Sequence, residues 1–107
     1  MYNIYGTKIH LTRGDTLIAN LEIKRDDETY IPAVGDVIRF AMKKDYKDEE
    51  PLILKTIDNN EMVLRLDSSD TKSLEFGEYV YDIQITMEDG TVDTFISDVF
   101  IVEPEVD

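Results

Sequence analysis

Residues 74–88 read LEFGEYVYDIQITME, and this stretch decides the fold. After Gly77, apolar residues take every second position: Tyr79, Tyr81, Ile83, Ile85 and Met87. Val80, Asp82, Gln84, Thr86 and Glu88 lie between them. A period of two is that of a strand with one face buried and one face wet. Asp89-Gly90 follows and is a hairpin signal. With those two residues as the loop, Met87 faces Val92, Ile85 faces Thr94 and Ile83 faces Ile96, while Gln84 faces Phe95 on the outer side. The alternation stumbles at Ser97-Asp98, before the run Val99-Phe100-Ile101-Val102, which predicts a bulge there.

Working outward, Ile4 to Thr12 reads as a first strand interrupted by Gly6, and Arg13-Gly14-Asp15 as a turn. Thr16 to Lys24 is a second strand with Leu17, Ala19, Leu21 and Ile23 on one face. Thr29-Tyr30-Ile31 is a short edge piece ended by Pro32. Ile38, Phe40 and Met42 mark a third main strand, and Asp45 to Glu50 an exposed loop. Leu52 to Ile57 and Glu61 to Asp67 read as a hairpin around Asp58-Asn59-Asn60, with Asn60 left-handed. This register aligns Leu52, Leu54 and Thr56 with Leu66, Leu64 and Met62, and keeps Lys55 out of the core. Ser68 to Glu75 has helix-starting chemistry but is too short for a free helix, so one helical turn near 69–75 crosses between sheets.

Many short strands, turn residues between them and no helical stripe predict an all-β chain, an antiparallel β-sandwich. At 107 residues it is a single domain over 1–103 with a tail at 104–107. There is no Cys, which excludes disulfides and thiolate metal sites. No apolar run approaches the roughly 20 residues of a membrane span, and the N-terminus lacks a signal pattern. Eleven basic against 24 acidic residues give a net charge of −13, which repels phosphate backbones and argues against nucleic acid as a partner. Such a charge serves solubility, or an acidic face meeting a basic partner.

The spacing Gly77-x-Tyr79-x-Tyr81 resembles the tyrosine corner of immunoglobulin-like domains, with Tyr81 where such domains carry their second Cys. A buried Tyr oxygen needs a partner, and the backbone of residues 71–75 is nearest by sequence. A longer string widens the likeness. Gly14-Asp15-Thr16, Gly35-Asp36-x-x-x-Phe40, Asp70-Thr71-x-x-Leu74-x-x-Gly77-x-Tyr79-x-Tyr81-Asp82-Ile83-Gln84 and Asp89-Gly90-x-Val92-x-Thr94 together are similar to a phage and prophage domain, the N-terminal immunoglobulin-like domain of baseplate upper proteins and small prophage tail-associated proteins. The resemblance implies a non-enzymatic structural module of a tail or baseplate, acting through strand edges and loops. It further implies other virion proteins as partners, homo-oligomerisation, and location in the virion or in the bacterial host cytoplasm before assembly. Baseplate upper proteins continue past this domain, so attachment to a receptor-binding protein does not carry over.

No catalytic, cofactor-binding or metal-ligating residue is assigned, and no cofactor is expected. His10 is the sole His and points outward between Ile9 and Leu11, without the supporting residues of a relay or metal site. Asp26-Asp27-Glu28, Asp45 to Glu50 and Asp58 to Glu61 are acidic groups, but none has the spacing of a calcium loop. Tyr2, Tyr5, Tyr30 and Tyr46 are the aromatics left for a sugar platform, since Tyr79 and Tyr81 fall on the core face. A carbohydrate- or cation-binding β-sandwich is therefore the alternative to the phage module.

Overall fold

The structure, a computed structural model, describes residues 2–25 and 27–105. The described elements run β1 (Tyr2–Tyr5), β2 (Lys8–Thr12), β3 (Leu17–Asn20), β4 (Ile23–Arg25), β5 (Glu28–Tyr30), β6 (Val37–Lys43), β7 (Ile53–Ile57), β8 (Val63–Leu66), α1 (Ser68–Thr71), β9 (Gly77–Thr86) and β10 (Val92–Glu103). One six-stranded sheet has the order β1-β2-β10-β9-β6-β7. Against it lies the pair β3-β8, and β4-β5 forms a small ribbon. The chain is an all-β sandwich, antiparallel except where β10 runs parallel to β2.

The alternation of β9 sets the core. Tyr79, Tyr81, Ile83 and Ile85 all point inward and are buried. They meet Ile38, Phe40 and Met42 of β6, Phe100 and Val102 of β10, and Leu17, Leu64 and Leu66 of the small sheet in one contiguous cluster. Tyr81 stands at its centre. Its ring lies 5.5 Å from that of Phe40 and meets Phe100 edge-on at 6.3 Å. Such tilted and edge-on pairs suit the aromatic quadrupole. The Tyr81 hydroxyl donates to the Thr7 carbonyl, and Thr7 in turn donates to Asp98. Burial pushes the Tyr81 hydroxyl up to about 12, with the Asp98 charge adding to it. Tyr79 closes a tyrosine corner, its hydroxyl donating to the Glu75 carbonyl at 2.7 Å. Gly77 makes the bend possible at φ +129, a conformation a side chain would strain.

The helical turn forms where expected. Asp67 and Asp70 make a reciprocal capping box around α1, and the Asp67 N–H donates to Asp70 Oδ2 at 2.8 Å. The turn carries the chain from β8 in the small sheet to β9 in the large one. Thr71, fully buried, accepts from the Gly14 N–H at 3.0 Å and binds the turn between β2 and β3. Glu105 lies just past β10 and is tied down. It accepts from Arg13 at 3.1 Å and from Lys72 at 3.0 Å.

Four local expectations are corrected. Gly6 does not interrupt one strand; with φ +65 it turns a hairpin that pairs β1 with β2, Tyr5 opposite Lys8. The second strand is divided as well, into β3 and β4. The Leu21 N–H donates to the Met62 carbonyl at 2.8 Å, one rung past the β3–β8 pairing, and the chain then passes at Glu22 from β8 to the β4–β5 ribbon. The bulge in β10 lies at Phe95, not at Ser97-Asp98. The loop before it is Met87–Thr91, closed by the Met87 N–H on Thr91 O at 2.7 Å, so Val92 faces Thr86 and Gln84 faces Thr94. The bulged residue makes up the one-residue difference and restores Ile83 opposite Ile96.

The fourth correction is the largest. β7 and β8 form no hairpin: β7 pairs with β6, and β8 pairs with β3 in the other sheet. Ile53 and Ile57 are the buried residues of β7, while Leu52 and Leu54 are exposed. Lys55 therefore lies on the inner side, opposite Phe40, where it pairs with Asp70 at 3.0 Å. The edge position explains this, because a long side chain can pass the rim of the core and keep its ammonium in reach of a carboxylate. The loop now bridges two sheets. Its left-handed residue is Met62 at φ 53, not Asn60.

Candidate functional site

β6 and β9 are neighbouring interior strands of the large sheet, and their inner residues are committed to the core. The residues between those point outward: Ala41 stands opposite Asp82, and Lys43 opposite Val80. Ala41 and Val80 are short, so the sheet surface dips between the longer neighbours. The result is a shallow groove of about 180 Å³ lined by Ala41, Lys43, Tyr46, Val80 and Asp82, with Tyr81 beneath. Tyr46 comes from the loop between β6 and β7 and is 68% exposed. Its position is set by an aspartate turn. The Asp45 N–H donates to Asp48 Oδ2 at 3.1 Å, and the Lys47 N–H to Asp45 Oδ1 at 3.0 Å. The side chains of Lys43 and Asp82 are half-buried and make no hydrogen bond or ion pair among the described residues.

This arrangement supplies an aromatic face, a donor of three hydrogens and a two-oxygen acceptor beside an apolar floor. It is open and small. Enclosed ligand pockets run to roughly 300–1,000 Å³, so a ligand here lies along the surface. A narrower apolar cleft of about 90 Å³ opens between the two sheets near Ile9, Ala19, Leu21, Leu64 and Ile96. It is well below the roughly 300 Å³ at which ligand pockets begin.

The residues weighed from sequence are scattered. His10 is partly exposed on β2, and its Nδ1 lies 2.7 Å from Glu103 Oε1. That contact offers two donor groups, one short of a metal set. Among the described residues no three His, Asp or Glu side chains are grouped to hold a metal ion. Asp26 lies outside the described residues. In the Asp45–Glu50 and Asp58–Glu61 groups, Asp45 and Asp58 cap their own turns; Asp58 Oδ1 accepts from the N–H groups of Asn60 and Glu61 at 2.7 and 3.0 Å. Of the four candidate aromatics, Tyr30 gives its hydroxyl to Asp36 at 2.6 Å, and only Tyr46 presents a described, exposed ring. The side chains of Tyr2 and Tyr5 lie outside the described set. Lys43 and Asp82 were not singled out from sequence. Their outward parity was visible in the alternation, but the adjacency of β6 and β9 was not.

No family model matches the chain, and no curated protein matches it. Among solved structures it is similar to CopC from Methylosinus trichosporium OB3b. The two share 19% identity over 69% of this chain and 72% of that one, with a TM-score of 0.41. At that distance nothing of CopC's own role carries over. The phage or prophage structural module is corrected on these findings: the motif string that resembles baseplate domains finds no family model and no curated protein behind it. Turn residues and a Gly-x-Tyr-x-Tyr bend made up most of that string. Any β-sandwich with a tyrosine corner needs the same residues.

Proposed function

We propose that this chain is a non-enzymatic binding β-sandwich that takes a carbohydrate on the outer face of its large sheet. One observation carries the reading: an exposed tyrosine ring beside a groove whose lysine and aspartate have no partner among the described residues. A sugar ring has an apolar C–H face and a rim of hydroxyls. The C–H face would lie on the Tyr46 ring, because an aromatic face is negative and attracts C–H hydrogens. The hydroxyl rim would donate to the Asp82 carboxylate and accept from the Lys43 ammonium. These are charge-assisted hydrogen bonds, about twice as strong as neutral ones. An open groove with two polar groups supports modest affinity, since little of the ligand is desolvated.

The cation-binding form of the alternative has less support, because among the described residues no three acidic or His side chains are grouped around one point. The test is an NMR titration of the labelled protein with a panel of neutral and amino sugars, paired with calorimetry. Shifts should cluster on residues 41–46 and 80–82, and Tyr46→Ala should weaken binding by about tenfold or more, the loss of an aromatic anchor. No shifts at millimolar sugar, or shifts that survive both Tyr46→Ala and Asp82→Asn, would remove the reading.

A further inference from the structure

A second surface feature lies at the other end of β6. The loop between β5 and β6 carries Ile31-Pro32-Ala33-Val34, with Ile31 81% exposed and Val34 fully so. Two aliphatic side chains exposed within four residues of one loop need a reason, since scattered exposure is common but a braced apolar knuckle is not. This knuckle is braced within its own loop and from two others. Asp36, itself buried, accepts from the Tyr30 hydroxyl at 2.6 Å and from the Ala33 N–H at 2.9 Å. Asn59, from the β7–β8 loop, donates to the carbonyls of Ala33 and Asp36 at 3.1 and 2.7 Å. Glu88, from the β9–β10 loop, packs on Gly35 so closely that a Cβ there would come within 2.8 Å of the glutamate stem. Pro32 fixes its own φ between these ties. Grooves of about 280 and 170 Å³ flank the knuckle, sharing Pro32, Asn59 and Asn60.

Charge completes the picture. Residues 31–36, 58–62 and 87–91 include Asp36, Asp58, Glu61, Glu88 and Asp89, and no Lys or Arg. We infer that the Ile31–Val34 knuckle is a docking point for a protein surface with an apolar socket rimmed by lysine or arginine. The aliphatic tips enter the socket, and their order before binding lowers the entropic cost of association. The acidic surround steers and orients a basic partner. The same acids repel anionic headgroups and phosphate backbones, and a second copy of this chain at net charge −13 meets its own field.

The test uses a surface-displayed library of random peptides, selected on the wild-type protein and counter-selected on the Ile31→Ser/Val34→Ser double variant. Both side chains are exposed, so the variant should keep the wild-type circular dichroism and melting temperature. Enriched peptides should combine Lys or Arg with aliphatic or aromatic residues. Their affinity should fall by about tenfold or more with the double variant. It should also fall with added salt and with Glu61→Lys, which leaves the knuckle intact. The inference is overturned if no peptide is enriched, if enriched peptides are acidic, or if they bind the double variant as well. Sedimentation with phosphatidylcholine vesicles that depends on Ile31 and Val34 would overturn it in favour of a membrane. Dimerisation lost in the double variant would overturn it in favour of self-association.

Discussion

Tyr79 and Tyr81 sit two residues apart on one strand and do different work. Tyr79 packs its ring beneath the Lys44 ammonium, 4.5 Å from the ring centre, and ties the crossing from α1 to β9 through the Glu75 carbonyl. Tyr79→Phe keeps the ring and deletes the tie, so it should cost about 0.5–1.5 kcal/mol in urea unfolding, the usual net worth of one hydrogen bond. Tyr81 fills the middle of the core, and its hydroxyl anchors the β1–β2 turn. Its titration gives a second prediction. The hydroxyl ionises near 10 in the unfolded chain and only near 12 in the folded one, so the folded state holds the proton more tightly. Stability from this group is complete below pH 10 and is lost as pH rises from 10 towards 12. Tyr81→Phe should flatten the alkaline limb of a stability profile, read as melting temperature between pH 9 and 12. Both tyrosines were legible as core residues from parity alone. Their hydroxyl partners were less so: the Glu75 carbonyl is local in sequence, while Thr7 is brought in by the fold.

At the scale of elements, β7 is the instructive one. It is an edge strand, and its inner row reads Ile53, Lys55, Ile57. An inward-pointing charge on an edge discourages another strand from pairing there, because the pairing would bury the ammonium and its partner. Lys55→Val makes the inner row uniformly apolar. It should leave the fold intact and promote concentration-dependent association, measured by sedimentation velocity; a variant that stays as monodisperse as the parent would show that the edge is guarded by something else. The error in assigning β7 from sequence has the same origin. Keeping lysine out of a core is sound for a central strand, and it chose the wrong parity for an edge strand whose lysine reaches Asp70. β9 had no such ambiguity, since ten residues of clean alternation admit one buried face. The helical turn was legible too, because its capping box is local chemistry between Asp67 and Asp70.

For the whole molecule, charge is the dominant property. The net −13 is repulsive at neutral pH, so added salt should raise the melting temperature at pH 7 by screening it, measured by calorimetry across a salt series. Acid acts in the other direction. Asp36 is held below the usual carboxylate range by the Tyr30 hydroxyl and the Ala33 N–H, Asp98 by Thr7 and the Val99 N–H, and Glu105 by Lys72 and Arg13. Groups depressed in this way stabilise the fold above about pH 4 and lose that contribution as pH falls through their folded values. The melting temperature should therefore drop below pH 4 even though protonation relieves repulsion. Asp36→Asn should make that drop shallower, and an unchanged acid limb would count against the brace around the Ile31–Val34 knuckle.

The amino-acid order by itself determined the class of architecture, the buried face of each central strand and the helical crossing. These follow from short-range periodicity and capping, which neighbours in the chain dictate. Beyond the local β9–β10 hairpin, only the tertiary structure decided which strands lie side by side, and so which outward residues share a groove. β6 reaches β9 across 33 intervening residues, 44–76, and the two loops that brace the Val34 loop, through Asn59 and Glu88, come from distant parts of the chain. The physical reason is that strand pairing is set by long-range packing of apolar faces, and alternation specifies a face without specifying its neighbour.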